Sequence, residues 1–326
     1  MMERRCIMQF EEKLDVLEEN IAQYSRELLD ILLKDRTTNR NIIWATNDYA
    51  SYGEFFAATE QIFSSLITGN YSNLIQPRVA KAHEQKNSRT RDKAEVFTPS
   101  WICNAQNNLV DEQWFGRSNV FNISQDNTWT ATERIIFPED KQRTWKHYVD
   151  ARRIEVSCGE APYLVSRYDT VTGDSIELLS RIGLLDRKLR VVTENVSNES
   201  EWLKWAYRAY ESVYGFEFQG DNLLLARENL LYTFIDYMRY ALKRTPTLNE
   251  LKKVATIISW NLWQMDGLTY EPPFCDIQEE MNQLSLFDFV EPETLIVQKT
   301  AQSRCKIKDW RSKVTVEYYS LVKGER

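Results

Sequence analysis

Cysteine and histidine are scarce in this 326-residue chain. Cys6, Cys103, Cys158, Cys275 and Cys305 are odd in number and form no CxxC pair. That pattern excludes a disulfide framework and a zinc knuckle. His83 and His147, the only two histidines, have no acid or cysteine at ligand or triad spacing and read as surface or packed side chains. No apolar run approaches the ~18 residues that a membrane helix needs. Met1–Leu14 is charged where a signal peptide would be apolar. The expectation is therefore a soluble, cytoplasmic protein with no membrane partner. Internal repeats and low-complexity tracts are also missing.

What is present suffices for a real core: 43% of residues are apolar, with 10 Trp, 16 Tyr and 14 Phe, which excludes disorder as the main state. At one domain per ~150 residues, the length suits two domains, or one with extensions. The net charge of −7 argues against a nucleic-acid binder that uses its whole surface, but leaves room for a local basic face. Such a stretch occurs at 78–93, where Arg78, Lys81, Lys86, Arg89, Arg91 and Lys93 meet few acids. It reads as a solvated helix face or as a contact for phosphates.

Phe10, Leu14, Leu17, Ile21, Tyr24, Leu28 and Ile31 step by four and three, predicting an N-terminal helix whose apolar stripe docks on the rest of the protein. A second helix is expected near Glu54–Leu66. From Arg152 onward strands and helices alternate. Strands are expected at Arg152–Val156, Tyr214–Phe218 and Ile257–Leu262, and helices at Ile182–Val192, Glu201–Val213 and Gly220–Leu242. Thr245-Pro246 stops the last of these, and Thr247 with Glu250 forms a capping box for the next helix. Strands separated by helices imply a parallel, doubly wound sheet. Thr294–Gln298 and Val314–Tyr319 are two further short strand candidates.

The chemistry concentrates at strand ends. Glu155-Val156-Ser157-Cys158-Gly159-Glu160-Ala161 ends a strand in an acid and turns through small residues. A ligand can approach the backbone there, although a tight turn also needs glycine for steric reasons alone. Glu217 ends the next strand, where a carboxylate can accept from both hydroxyls of a ribose. Asp266 follows the third and can accept from an exocyclic amine such as adenine N6. Cys158 has no paired histidine and reads as a small residue fitting the turn rather than a nucleophile. Trp260 and Trp263 read as core or pocket wall.

These residues together resemble the adenine-specific N6 DNA methyltransferases of restriction–modification systems, the proteins commonly called restriction endonuclease subunit M. The resemblance runs from about Lys93 to Leu268. Phe97-Thr98-Pro99 is similar to the family's (F/Y)TP element, Glu155–Ala161 to its D-P-x-C-G-x-G loop, Glu217 with Leu225–Leu230 to its ribose acid and L-A-x-x-N-L helix, and Asn261–Leu268 to its N-I-x-x-G-D-x-L element. The resemblance implies a Rossmann-like α/β core that binds S-adenosyl-L-methionine. Phe97, Thr98 and Pro99 would pack on the cofactor, while Ser157, Cys158, Gly159, Glu160 and Ala161, with Glu155, would hold its amino-acid end. Glu217 would take the ribose and Asp266 the adenine. It also implies double-stranded DNA as substrate and a restriction endonuclease as a partner.

The chain departs from that pattern in several places. Glu155-Val156 stands for Asp-Pro, Ala161 for the loop's last glycine and Met265 for the glycine before the acid, and an insertion precedes Glu217. The family's (N/D)-P-P-(Y/F) string has only Glu271-Pro272-Pro273-Phe274 as a counterpart, which follows Asp266 too closely and reads as a prolyl turn. The expected organisation is a helical region at 1–92, the cofactor-binding domain at 93–270 and an extension at 271–326. This would be the cofactor half of a methyltransferase, completed by a second polypeptide. The alternative is a non-catalytic, methyltransferase-like module for DNA binding or regulation.

Overall fold

The computed structural model describes residues 18–81, 98–275 and 304–324. Its organising element is a parallel sheet of β3 (Arg153–Val156), β4 (Val213–Glu217) and β5 (Leu262–Gln264) in the order β3-β4-β5. Two hairpins, β1 (Asn122–Gln125) with β2 (Thr128–Ala131) and β6 (Lys306–Asp309) with β7 (Val314–Glu317), lie outside it. The architecture is mixed α/β, with helices leading from each parallel strand to the next. They are α1 (Glu18–Tyr24), α2 (Arg26–Leu33), α3 (Ser100–Phe115), α4 (Trp145–Asp150), α5 (Leu184–Asn195), α6 (Glu199–Glu211), α7 (Gly220–Leu242), α8 (Leu248–Asn261) and α9 (Tyr318–Lys323). None is long and apolar enough to cross a membrane.

Most local expectations hold because local chemistry fixes them. Helix α7 spans the residues expected of it, and the Thr247–Glu250 capping box opens α8 with both reciprocal hydrogen bonds. Glu271–Phe274 is a turn. Three expectations need correction. Ile257–Asn261 belongs to α8 and only Leu262 joins a strand: Leu251, Val254, Ala255 and Ile258 continue a helical stripe that no glycine or proline interrupts. Glu54–Leu66 holds only short 3₁₀ turns at Glu54–Phe56 and Ser64–Leu66. Its middle instead runs beside residues 42–45, with Trp44 N–H donating to Glu60 O and Ile62 N–H to Ile42 O. The N-terminal helix breaks at Ser25, whose backbone is extended, so Tyr24 falls off the buried stripe. Ile21 and Leu28 do dock into the core. Phe10, Leu14, Leu17 and Thr294–Gln298 lie outside the described residues.

One core runs from Ile21 to Leu262, with α7 buried on every side at its centre. A helix so enclosed must satisfy its polar residues internally. Arg227 does so, donating to the carbonyls of Leu32, Lys34 and Leu262, and it thereby ties α2 and β5 to α7. Its neighbour Glu228 does not. Glu228 and Glu18 are fully buried, and among the described residues none of their four carboxyl oxygens has a hydrogen-bond partner. Burial pushes Glu18 up to about 8 and Glu228 well above the carboxylate range, and the charge of Glu18 raises Glu228 further.

Replacing Arg227 by Ala strands three backbone carbonyls in the core and should cost about 3 kcal/mol or more in urea unfolding. Glu228→Met should act in the opposite direction. The folded pKa of Glu228 lies above its unfolded value, so wild-type stability falls as pH rises past the unfolded value; the variant should be more stable by ~1–4 kcal/mol at pH ~8 and should gain less at pH ~4.

Candidate functional site

The carboxyl ends of β3, β4 and β5 point the same way, and ligands of open α/β sheets sit at such edges. After β3 the chain bends sharply: Ser157, Gly159 and Ala161 all take left-handed backbone conformations, with φ of 49°, 52° and 63°. The bend returns over β4, where Cys158 N–H donates to Phe216 O at 2.8 Å. The bend packs directly on Gly215, where a Cβ would lie 3.4 Å from the Cys158 sulfur, at ordinary contact distance. The left-handed backbone at Ala161 is a conformation for which glycine is best suited.

The acids then divide by what they hold. Glu217 reaches back to the bend: one carboxyl oxygen accepts from Gly159 N–H at 2.8 Å and the other from Gln219 N–H at 3.1 Å. Burial raises its pKa, and those backbone bonds oppose the rise. Glu155 points into the protein, accepting from Tyr163 N–H and Leu164 N–H, and burial pushes it up to about 8. Glu160, 1% exposed, accepts from Arg78 N–H and the Tyr168 hydroxyl and is a brace for the bend. Cys158 is buried and its thiol is pushed well above its usual value, which removes it as a nucleophile. Asp266 is half-buried beyond β5 and caps its own turn by accepting from Leu268 N–H. It follows Met265, whose N–H donates to Glu217 O.

Thr98 and Pro99 lie beside this bend. Pro99 precedes α3, Ser100 N–H is held by Asp169, and Thr98 O accepts from the Thr170 hydroxyl. Burial raises the thiol of Cys103, one turn along α3, and the charge of Glu155 raises it further. Phe97 lies outside the described residues. The structure thus gathers Glu155, Ser157, Cys158, Gly159, Ala161 and Glu217 at the edge, with Thr98 and Pro99 alongside. Asp266 sits at the neighbouring strand end and Glu160 behind the bend.

Pattern reading missed the segment that crosses this edge. Residues 42–45 pass over β4 and β5: Ile43 N–H donates to the Gln264 side chain, which donates back to the carbonyls of Ile43 and Phe218. Gly220 N–H donates to Trp44 O. A Cβ on Gly220 would come 2.0 Å from Ile43 O, so only glycine fits under the segment. Asp221, fully buried, binds the Tyr49 hydroxyl and pairs with Lys81 at 3.4 Å. This corrects the reading of the basic stretch: Lys81 faces inward, and the Arg78 amide braces Glu160. Residues 82–93 lie outside the described residues. Gly220, following an acid-tipped strand, was the one sequence signal of this close packing. No protein-family profile, curated protein or solved structure matches the chain.

Glu155 gives the site a pH signature. Its folded pKa exceeds the unfolded value, so its contribution to stability is full below pH ~4.5 and is lost as pH rises through about 8. Glu155→Gln should remove up to one proton of slope from that window, ~1.4 kcal/mol per pH unit at most, as read from urea midpoints at several pH values.

Proposed function

We propose that the chain is the S-adenosyl-L-methionine-binding part of an adenine-N6 DNA methyltransferase, with a Rossmann-like core like that of a restriction–modification M subunit. One observation carries the reading. The bend after the first parallel strand folds onto an acid at the tip of the second, with Gly159 N–H bonded to Glu217. The donor chemistry fits the cofactor. Each Glu217 oxygen accepts one backbone N–H and keeps a lone pair for a ribose hydroxyl. Glu217 would hold the ribose, the Ser157–Ala161 backbone the amino-acid end, Asp266 the adenine, and Pro99 would pack against the bound group. The cofactor supplies an electrophilic methyl group when bound. The chain's contribution is orientation, because transfer to an adenine amine needs donor and acceptor in line.

The sheet order supports incompleteness. In a doubly wound sheet the fourth strand pairs with the free side of the first. Here that side is the outer edge of β3, which pairs only with β4 among the described residues. Ile154 and Val156 on β3 are 44% and 63% exposed, unusual for a parallel strand. A second polypeptide carrying the target-base half would pair there.

A second reading, a non-catalytic methyltransferase-like subunit that binds DNA or regulates, is favoured by the segment at 42–45, which occupies space over β4 and β5. Calorimetry separates the two. Saturable binding of S-adenosyl-L-methionine, weakened ~10–100-fold by Glu217→Ala and less by Asp266→Ala, at a temperature where circular dichroism shows both variants folded, is the expected result. No binding, or binding indifferent to both changes, overturns the proposal. Sequence-selective DNA retention without cofactor would then select the second reading.

A further inference from the structure

At the opposite end of the sheet, a groove of about 720 Å³ opens between α4, α6 and α8. It lies near the amino ends of the strands, because α4 and α6 finish at Asp150 and Glu211, just before β3 and β4. Its volume is that of a small-molecule site. Lys146, Lys204 and Lys253 line it, and none of them has an ion pair among the described residues. The acids in its wall are already neutralised: Asp150 pairs with Arg208 and Arg311, and Glu211 with Arg208. Neighbouring cations outside the groove are acid-paired, Arg244 with Glu199 and Glu250, and Lys252 with Glu27. In a chain of net charge −7, three uncompensated ammonium groups at one groove form a local positive field.

Aromatic rings form the same wall. Lys146 Nζ lies 5.4 Å and 5.5 Å from the Trp145 and Trp205 rings, which meet edge-on with centroids 4.9 Å apart. Lys253 Nζ lies 3.8 Å over Tyr207. The ammonium groups are thus placed beside flat apolar surfaces, a combination that suits a ligand carrying both an anion and an aromatic ring.

We propose that this groove binds a free nucleoside polyphosphate, its phosphates on Lys146, Lys204 and Lys253 and its base against Trp205. The inference stands apart from the reading of the sheet's carboxyl edge. Calorimetry on the full chain tests it with ATP, tripolyphosphate, adenosine and a short single-stranded oligonucleotide. ATP should bind saturably and more tightly than tripolyphosphate, and adenosine should not bind measurably. The combined variant Lys146→Gln/Lys204→Gln/Lys253→Gln, changed only at exposed side chains, should weaken ATP at least ~10-fold with an unaltered melting temperature. Glu217→Ala should leave ATP binding unchanged. The proposal is overturned if ATP does not saturate, if the triple variant binds equally well, if Glu217→Ala abolishes binding, or if only the oligonucleotide binds.

Discussion

The hydrogen bond from Gly159 N–H to Glu217 fixes the candidate site. A carboxylate withdrawn from water must be held by donors, and here backbone amides from the bend and from the start of α7 supply them. Meeting that requirement forces the chain after β3 through three left-handed residues and across the end of β4. It also places the small-residue bend, the second-strand acid and the amino end of α7 within one hydrogen-bond network. Gly220 then follows as a steric condition for the segment at 42–45.

The same desolvation governs the rest of the core. Helix α7 is enclosed on all sides, so each polar residue on it must be satisfied or neutral. Arg227 is satisfied by backbone carbonyls and becomes a structural tie. Glu228, facing Glu18 with no donor, persists with its pKa raised. Asp221 is satisfied by Tyr49 and Lys81. Arg227 and Asp221 bind the amino-terminal segments to the helix that follows Glu217, and so hold them over the sheet's carboxyl edge.

How much of this was legible in sequence depended on whether the cause was local. The limits of α7, the capping box at Thr247, and the strands bearing Glu155 and Glu217 could be read because turn residues, caps and periodicity lie within a few positions of what they specify. The run Ile257–Leu262 could not, since a short apolar stretch carries no period that separates helix from strand. The crossing of residues 42–45 depends on Gln264 and Gly220, more than 170 positions away, and no local pattern encodes such a pairing. Lys81 looked like part of a solvated face because its partner Asp221 is 140 positions away. Of the candidate site, the acids and the bend were legible. The division between Glu217, which holds the bend, and Glu155 and Glu160, which brace it from behind, emerged only from their hydrogen-bond partners.

A crystal structure grown with saturating S-adenosyl-L-methionine tests the central claim most directly. The account predicts a ribose hydroxyl within hydrogen-bond distance of Glu217, with the Ser157–Ala161 backbone lining the methionine end. A ligand-free edge with residues 42–45 still packed across β4 and β5, or a ligand bound elsewhere, would contradict it.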